Sequence, residues 1–237
     1  MTELEIFANL GLLGLCYLYI VAIILVTGKV KDRMPRNLSR KFLHIMIGNF
    51  IFIIPFFTLR TLPLCFPFFV ASPFILVTFL FSPASPVDLS GKFSGLSEVT
   101  GGGHKFGLLL YAVSYSILAL FFSANAYILA SGILPMAYGD AAASLIGQRF
   151  GRHKYNISCT KSLEGSTAMF ATCLLGILVL FPFFSYFYPI KFFNWALASF
   201  GAAVVATACE ALTPKGFDNL SVPLLSAVSF LLLMGGL

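Results

Sequence analysis

Charge is what this sequence has least of. Only 10% of its 237 residues are Asp, Glu, Lys or Arg, where a soluble domain of this size carries about a quarter. Hydrophobic residues make up 59%, 27 of the residues are Phe, and mean hydropathy is +0.94. So little charge excludes a soluble globular domain. The bilayer is the solvent, and the chain must satisfy its own backbone there.

Other absences narrow the chemistry. The five cysteines, Cys16, Cys65, Cys159, Cys173 and Cys209, form no CxxC and no Cys/His metal spacing. Four lie in apolar runs, where Cys behaves as a small hydrophobe, so neither a disulfide framework nor a zinc site is expected. There is no GxxxxGK[ST] and no GxGxxG, and GGGHKFG at 101–107 fits neither, so a soluble-type nucleotide fold is not indicated. Those glycines read instead as a flexible loop or backbone nest near a site. Heptads and low-complexity tracts are missing. The first apolar run, about 6–27, is too long for a signal h-region and follows Glu3 and Glu5 rather than a basic segment, so a cleaved leader is not expected. The net charge of +6 sits in short loops between apolar runs, which argues against a nucleic-acid partner. Sequons at Asn37, Asn156 and Asn219 all fall on the expected cytoplasmic side and read as chance matches.

What the chain does have is apolar runs of spanning length. Eight are read, at about 6–27, 43–59, 61–82, 106–123, 126–147, 165–187, 193–212 and 221–237, the second and last being short. The expectation is an all-α integral membrane protein, a bundle of about eight transmembrane helices in a single multi-span domain over 1–237. Charge supports it. The loops after odd-numbered spans hold thirteen basic residues, from the cluster Lys29 to Lys41 through Arg149, Arg152, Lys154 and Lys161 to Lys215. The opposite side holds only Arg60 and Lys191. By the positive-inside rule, both termini lie outside and the four odd loops are cytoplasmic.

The acids gather at the same side. Asp140 and Glu210 fall a turn or two inside expected helix ends, where an unpaired charge costs up to ~3 kcal/mol. A snorkelling acid or one paired with a loop Arg is the ordinary explanation; a metal or substrate site is the sharper one. His44 falls at the same expected depth, and Arg40, His44 and Gly48 share one helix face at i, i+4, i+8. In SCTKSLEGST, 158–167, Lys161 and Ser162 stand at an expected helix start with Gly165 and Ser166 just inside. Unpaired N–H groups, a positive dipole end, a Lys and hydroxyls together make a phosphate cradle, or else an ordinary capped helix. TPKGFDNL, 213–220, presents Asp218 and Asn219 after Glu210. Hard oxygen ligands from separate segments suit Mg²⁺, which takes one or two carboxylates plus substrate phosphates.

RKFLHIMIG (40–48), GDAAASLIGQRFGRHK (139–154), TKSLEGS (160–166) and EALTPKGFDNLSVP (210–223) resemble the polyprenol kinase family, which includes dolichol kinase, phytol kinase and CTP-dependent diacylglycerol kinase. The segments stand in family order over most of the chain. The resemblance implies a multi-span enzyme that phosphorylates a membrane lipid alcohol from CTP with a divalent metal. It implies Asp140 and Asp218 as Mg²⁺ ligands. Lys161, Ser162, Glu164 and Gly165, with Arg40, Lys41 and Asn219, would bind the nucleotide. Asp140, Glu210 and His44 would be catalytic, either Glu210 or His44 orienting the hydroxyl or accepting its proton.

A distant similarity to phosphatidate cytidylyltransferase lies in SCTKSLEG, but that enzyme's C-terminal Asp-Arg-x-x-Asp signature is absent, which favours a kinase. The expected function is therefore transfer of the γ-phosphate of CTP, or another nucleoside triphosphate, to dolichol, polyprenol, phytol or geranylgeraniol. The alternatives are a CTP-dependent diacylglycerol kinase, a lipid-phosphate cytidylyltransferase and a non-enzymatic transporter. The active site is expected to face the cytoplasm, from a plasma membrane or endoplasmic reticulum.

Overall fold

The computed structural model describes residues 2–30, 36–80, 107–214 and 216–235, with the side chains of 30, 36, 37 and 40 left out. The loop carrying Asp88, Lys92, Glu98 and GGGHK lies outside the described residues, as do Lys31, Asp32, Arg33 and Lys215. The described chain is almost entirely helical and divides into two compact units, 1–124 and 125–237.

In the first unit, α1 (Glu3–Val30) is apolar on all sides, as a lipid-immersed helix must be. It packs against α2 (Arg36–Gly48) and α3 (Phe66–Leu80), and α3 lies along α4 (Gly107–Phe122). The apolar run 43–59 is not one helix. The α-helix starts earlier, at Arg36, stops at Gly48, and gives way to two short 3₁₀ turns, Asn49–Phe52 and Ile54–Phe56. Pro55 brings a fixed φ and no N–H, which an α-helical interior does not accept. The non-helical backbone that follows finds its partners on α1. Buried Asn9 accepts the N–H groups of Thr58 and Leu59 at 3.1 and 3.2 Å and donates to the Thr58 hydroxyl at 2.6 Å. Backbone at membrane depth needs such satisfaction from within the protein.

The second unit begins with α5 (Ala126–Leu134), a π-helical turn at Pro135–Gly139, and α6 (Asp140–Phe150). A small antiparallel hairpin follows, β1 (Lys154–Asn156) and β2 (Thr160–Ser162), with Tyr155 opposite Lys161. Then come α7 (Leu163–Val179), the short α8 (Phe181–Phe187), α9 (Phe192–Leu212) and α10 (Asp218–Met234). Helix α9 packs along both α7 and α10, and α5 packs on α10. Fully buried Trp195 anchors the core. Its ring meets Phe184 and Phe230 edge or tilted at 6.1 and 5.1 Å, and its Nε1–H donates to the Ile177 carbonyl at 3.0 Å.

Four helical stretches are long and apolar enough to cross a membrane: Glu3–Lys29, Gly107–Phe150, Leu163–Phe187 and Phe192–Leu212. The apolar helices Lys41–Phe56, Phe66–Leu80 and Asp218–Met234 are shorter. The protein is therefore an all-α membrane protein, apart from the hairpin.

Candidate active site

The second unit builds its site around a seam of small residues. Gly139, Ala143, Gly147 and Gly151 recur every four residues and face α7 and its cap. A Cβ on Gly139 would stand 2.6 Å from Cys173 Sγ, one on Gly147 3.0 Å from the Ser162 hydroxyl, and one on Gly165 2.9 Å from the Ala143 carbonyl. Small residues at helix spacing let backbones approach closely in a bilayer. Much of the GDAAASLIGQRFG motif is thus packing, and it fixes where Asp140 stands.

Asp140 follows directly on the π turn, its N–H bonded to the Pro135 carbonyl. Such insertions shift the helical register and are common at functional sites. Here the turn delivers a half-buried carboxylate to the end of the bundle.

Lys161 arrives there differently from the sequence expectation. It lies on β2 rather than at a helix start, and the helix begins at Leu163. The Ser158 hydroxyl donates to the Leu212 carbonyl, which ties the hairpin to the end of α9. Lys161 consequently reaches Glu210 and forms an ion pair with its Oε1. The Lys161 and Glu210 side chains are 16% and 5% exposed, so the pair is screened little by water. Burial opposes the ammonium charge, but the Glu210 carboxylate, with Asp218 beyond it, outweighs that and raises the Lys161 pKa above its ordinary 10.5. Lys161 is therefore charged at neutral pH.

Ser162 is the N-cap of α7, its hydroxyl accepting the Gly165 N–H at 3.1 Å. One of the N–H groups of the expected cradle is thus already satisfied from within. Glu164 turns to the hairpin, receiving the His153 backbone N–H at 3.2 Å and holding His153 Nδ1 at 2.8 Å. No sequence feature singled out His153, and this bond fastens the base of the hairpin.

Asp218 opens α10 and is buried. One of its oxygens accepts the N–H groups of Gly216 at 3.1 Å and Asn219 at 3.0 Å. Gly216 has φ of 96°, a left-handed turn that favours glycine, and this turn aims its N–H at the carboxylate.

The structure pairs Lys161 with Glu210, and Ala143, Cys173, Ala206 and Val222 pack in one buried cluster with Cys209 against it, so the segments that carry Asp140, Glu210 and Asp218 lie together. Three of the sequence segments, distant along the chain, meet at one end of the unit. His44 and Lys41 belong to α2 of the first unit, and both are buried. The His44 ring lies 4.7 Å from that of Tyr111, whose hydroxyl donates to the His44 carbonyl at 3.1 Å. Arg40 lies on the same helix, its side chain outside the described residues.

Among the described residues no three His, Cys, Asp or Glu side chains converge as metal ligands. Asp140 and Asp218 nevertheless fit Mg²⁺ by the chemistry of the donor set. That ion takes one or two carboxylates and completes its shell with water and substrate phosphates.

Comparison with known proteins decides the family. A phytol kinase of Synechocystis is 33% identical over 222 residues, covering 91% of this chain and 88% of its own. The chain belongs to the polyprenol/phytol kinase family. Phytol kinase 1 of Arabidopsis thaliana, a chloroplastic protein, is 29% identical over 98% of this chain and 77% of its own. A probable phytol kinase 1 of Glycine max is 31% identical over 94% of this chain and 75% of its own. No family model matches the sequence, and no solved structure matches it.

Proposed function

We propose that the protein is a lipid kinase that transfers the terminal phosphate of a nucleoside triphosphate, CTP by family resemblance, to the hydroxyl of an isoprenoid alcohol. Phytol, geranylgeraniol, a polyprenol and dolichol are the acceptors in view, and the names of the relatives favour phytol. The observation that carries the reading is the buried Lys161–Glu210 pair, on segments packed with those that carry Asp140 and Asp218. Cation and carboxylates at the end of an apolar bundle suit a reaction between a polyphosphate and a lipid headgroup.

Phosphoryl transfer asks mainly for positioning and charge neutralisation. The acceptor oxygen forms a bond to the γ-phosphorus as the bond to the β,γ-bridging oxygen breaks, and the nucleoside diphosphate leaves. The hydroxyl proton passes to a carboxylate, and this reading assigns Glu210 to the role. Lys161 exchanges its partner from Glu210 to a phosphate oxygen, which leaves Glu210 able to accept that proton. Asp140 and Asp218 would hold Mg²⁺, which when bound neutralises phosphate charge. The positive-inside split favours the side of the basic loops for the reaction, whichever membrane holds the protein.

The test is transfer from terminally radiolabelled CTP, ATP and UTP in membranes, against isoprenoid alcohols and diacylglycerol. Label should move from CTP to an isoprenoid alcohol as a monophosphate. Transfer of CMP to a lipid phosphate would make it a cytidylyltransferase instead. Label only on diacylglycerol would make it a diacylglycerol kinase.

A further inference from the structure

The surface of the second unit carries an open groove of about 460 Å³ between α7 and α9. That volume lies in the range of small-molecule sites. One wall is Leu163, Thr167 and Phe170, the other Val204, Thr207, Ala208 and Ala211. Its polar atoms are satisfied from within. Thr167 and Thr207 donate to the Leu163 and Ala203 carbonyls, each at 2.8 Å, and so turn hydrocarbon to the groove. Tyr155 and Ser166, at one end, bond each other at 2.6 Å. That end is closed by the hairpin that carries Lys161. Tyr155 stands opposite Lys161 in the hairpin, and Ala211 follows Glu210.

We infer that this groove holds the hydroxyl-proximal part of an isoprenoid chain, about two isoprene units of it, and that the rest of the tail lies in the bilayer. The inference rests on the kinase reading and adds to it the place and the length of acceptor recognition. Each wall covers seven residue steps, 163–170 and 204–211, so the groove is about 10 Å long at the helical rise. An extended chain advances about 3.5 Å per three bonds, so about nine bonds fit. Two isoprene units supply eight. The occupant is an isoprenoid alcohol rather than a phospholipid acyl chain because the groove closes at Tyr155 and Ser166, with Tyr155 the cross-strand neighbour of Lys161, so that a chain lying in it carries its hydroxyl end toward the hairpin. Chain length beyond the second unit is then invisible to the enzyme.

Two measurements test this. The first is a KM series over prenols of one to four isoprene units, in the same lipid. The acceptor KM should fall steeply from one unit to two and change less than twofold thereafter. Ala208→Phe should raise the KM of two-unit and four-unit acceptors at least tenfold while the donor KM moves less than twofold; Ala208→Val, a gentler filling, should give a smaller rise in the same direction. A KM that keeps falling through the fourth unit, or an unchanged acceptor KM in both variants, overturns the inference.

The second needs no turnover. A prenol carrying a diazirine on its second unit should label 163–170 and 204–211 in the full-length protein, and unlabelled two-unit prenol should compete. Label elsewhere, or label that the prenol does not displace, marks the groove as ordinary lipid-facing surface and sinks the proposal. Displaceable label in the groove without phosphate transfer would overturn the kinase reading and leave the groove standing.

Discussion

At the scale of residues, Lys161 and Glu210 decide each other's behaviour. An exposed pair contributes about 0–1 kcal/mol, but these two side chains are nearly out of water. Removing one partner leaves the other buried and uncompensated, which costs about 3–5 kcal/mol. Lys161→Ala should therefore lower thermal stability in detergent by roughly that amount. The double change Lys161→Met with Glu210→Gln should recover most of the stability and none of the phosphate transfer. A single variant as stable as the parent would mean that the pair is solvated in the membrane-bound protein. The raised Lys161 pKa carries a pH signature. A group whose folded pKa is raised contributes fully below its unfolded value and loses that contribution as pH climbs through the folded one. Stability owed to the pair should be level from neutral pH to about 10.5 and fall above it; melting curves of the Met/Gln variant should lack that alkaline step. Asp140 differs, being half-buried at a helix start. Asp140→Asn keeps size and hydrogen bonding, so phosphate transfer should fall by roughly a hundredfold or more with the melting temperature unchanged. Near-parental turnover would leave Asp140 a structural residue.

At the scale of elements, the seam between α6 and α7 sets the site's geometry. A methyl on Gly165 meets the Ala143 carbonyl, backbone that cannot swing away, whereas one on Gly176 meets the tip of the Leu134 side chain, at 2.8 Å. Gly165→Ala should cost about 1–3 kcal/mol by overpacking and raise the donor KM, because Ser162 and Lys161 ride on the same junction. Gly176→Ala should be milder and leave the donor KM alone, and equal effects from both would refute a specific role for the seam. Hydropathy makes such helices legible. The run read at 193–212 is the helix Phe192–Leu212, and 165–187 is covered by α7 and α8, because a lipid-facing helix must be apolar along its length. Hydropathy could not mark the hairpin, whose three-residue strands have no apolar alternation. Nor could it mark the π turn before Asp140, a matter of one shifted hydrogen bond. Of the candidate site, the residue types and segments were readable. The partner of Lys161 was not, because it lies 49 positions away and depends on how the Ser158 turn docks on α9.

At the scale of the whole molecule, the charges make a claim about the membrane that packing alone does not. Thirteen basic residues fall in alternate loops and two in the others. The four long apolar stretches and the three shorter apolar helices are compatible with several threadings. The short helices matter most. At 1.5 Å per residue, fifteen residues of α3 rise about 22 Å, less than a hydrocarbon core of about 30 Å. Helix α3 can cross only where its flanking residues or a locally thinned bilayer make up the difference. The charge asymmetry favours crossing, since otherwise the basic cluster after α1 and that of the hairpin would fall on opposite sides. Single cysteines placed at Asn156 and Lys191 in a cysteine-free background should therefore react with a membrane-impermeant maleimide from opposite faces of sealed vesicles. One at Thr2 should label from the same face as Lys191. Labelling of Asn156 and Lys191 from one face would mean that α7 and α8 turn back without crossing. The eight-span threading would then fail, and Lys191 would share a side with the basic hairpin that carries Lys161.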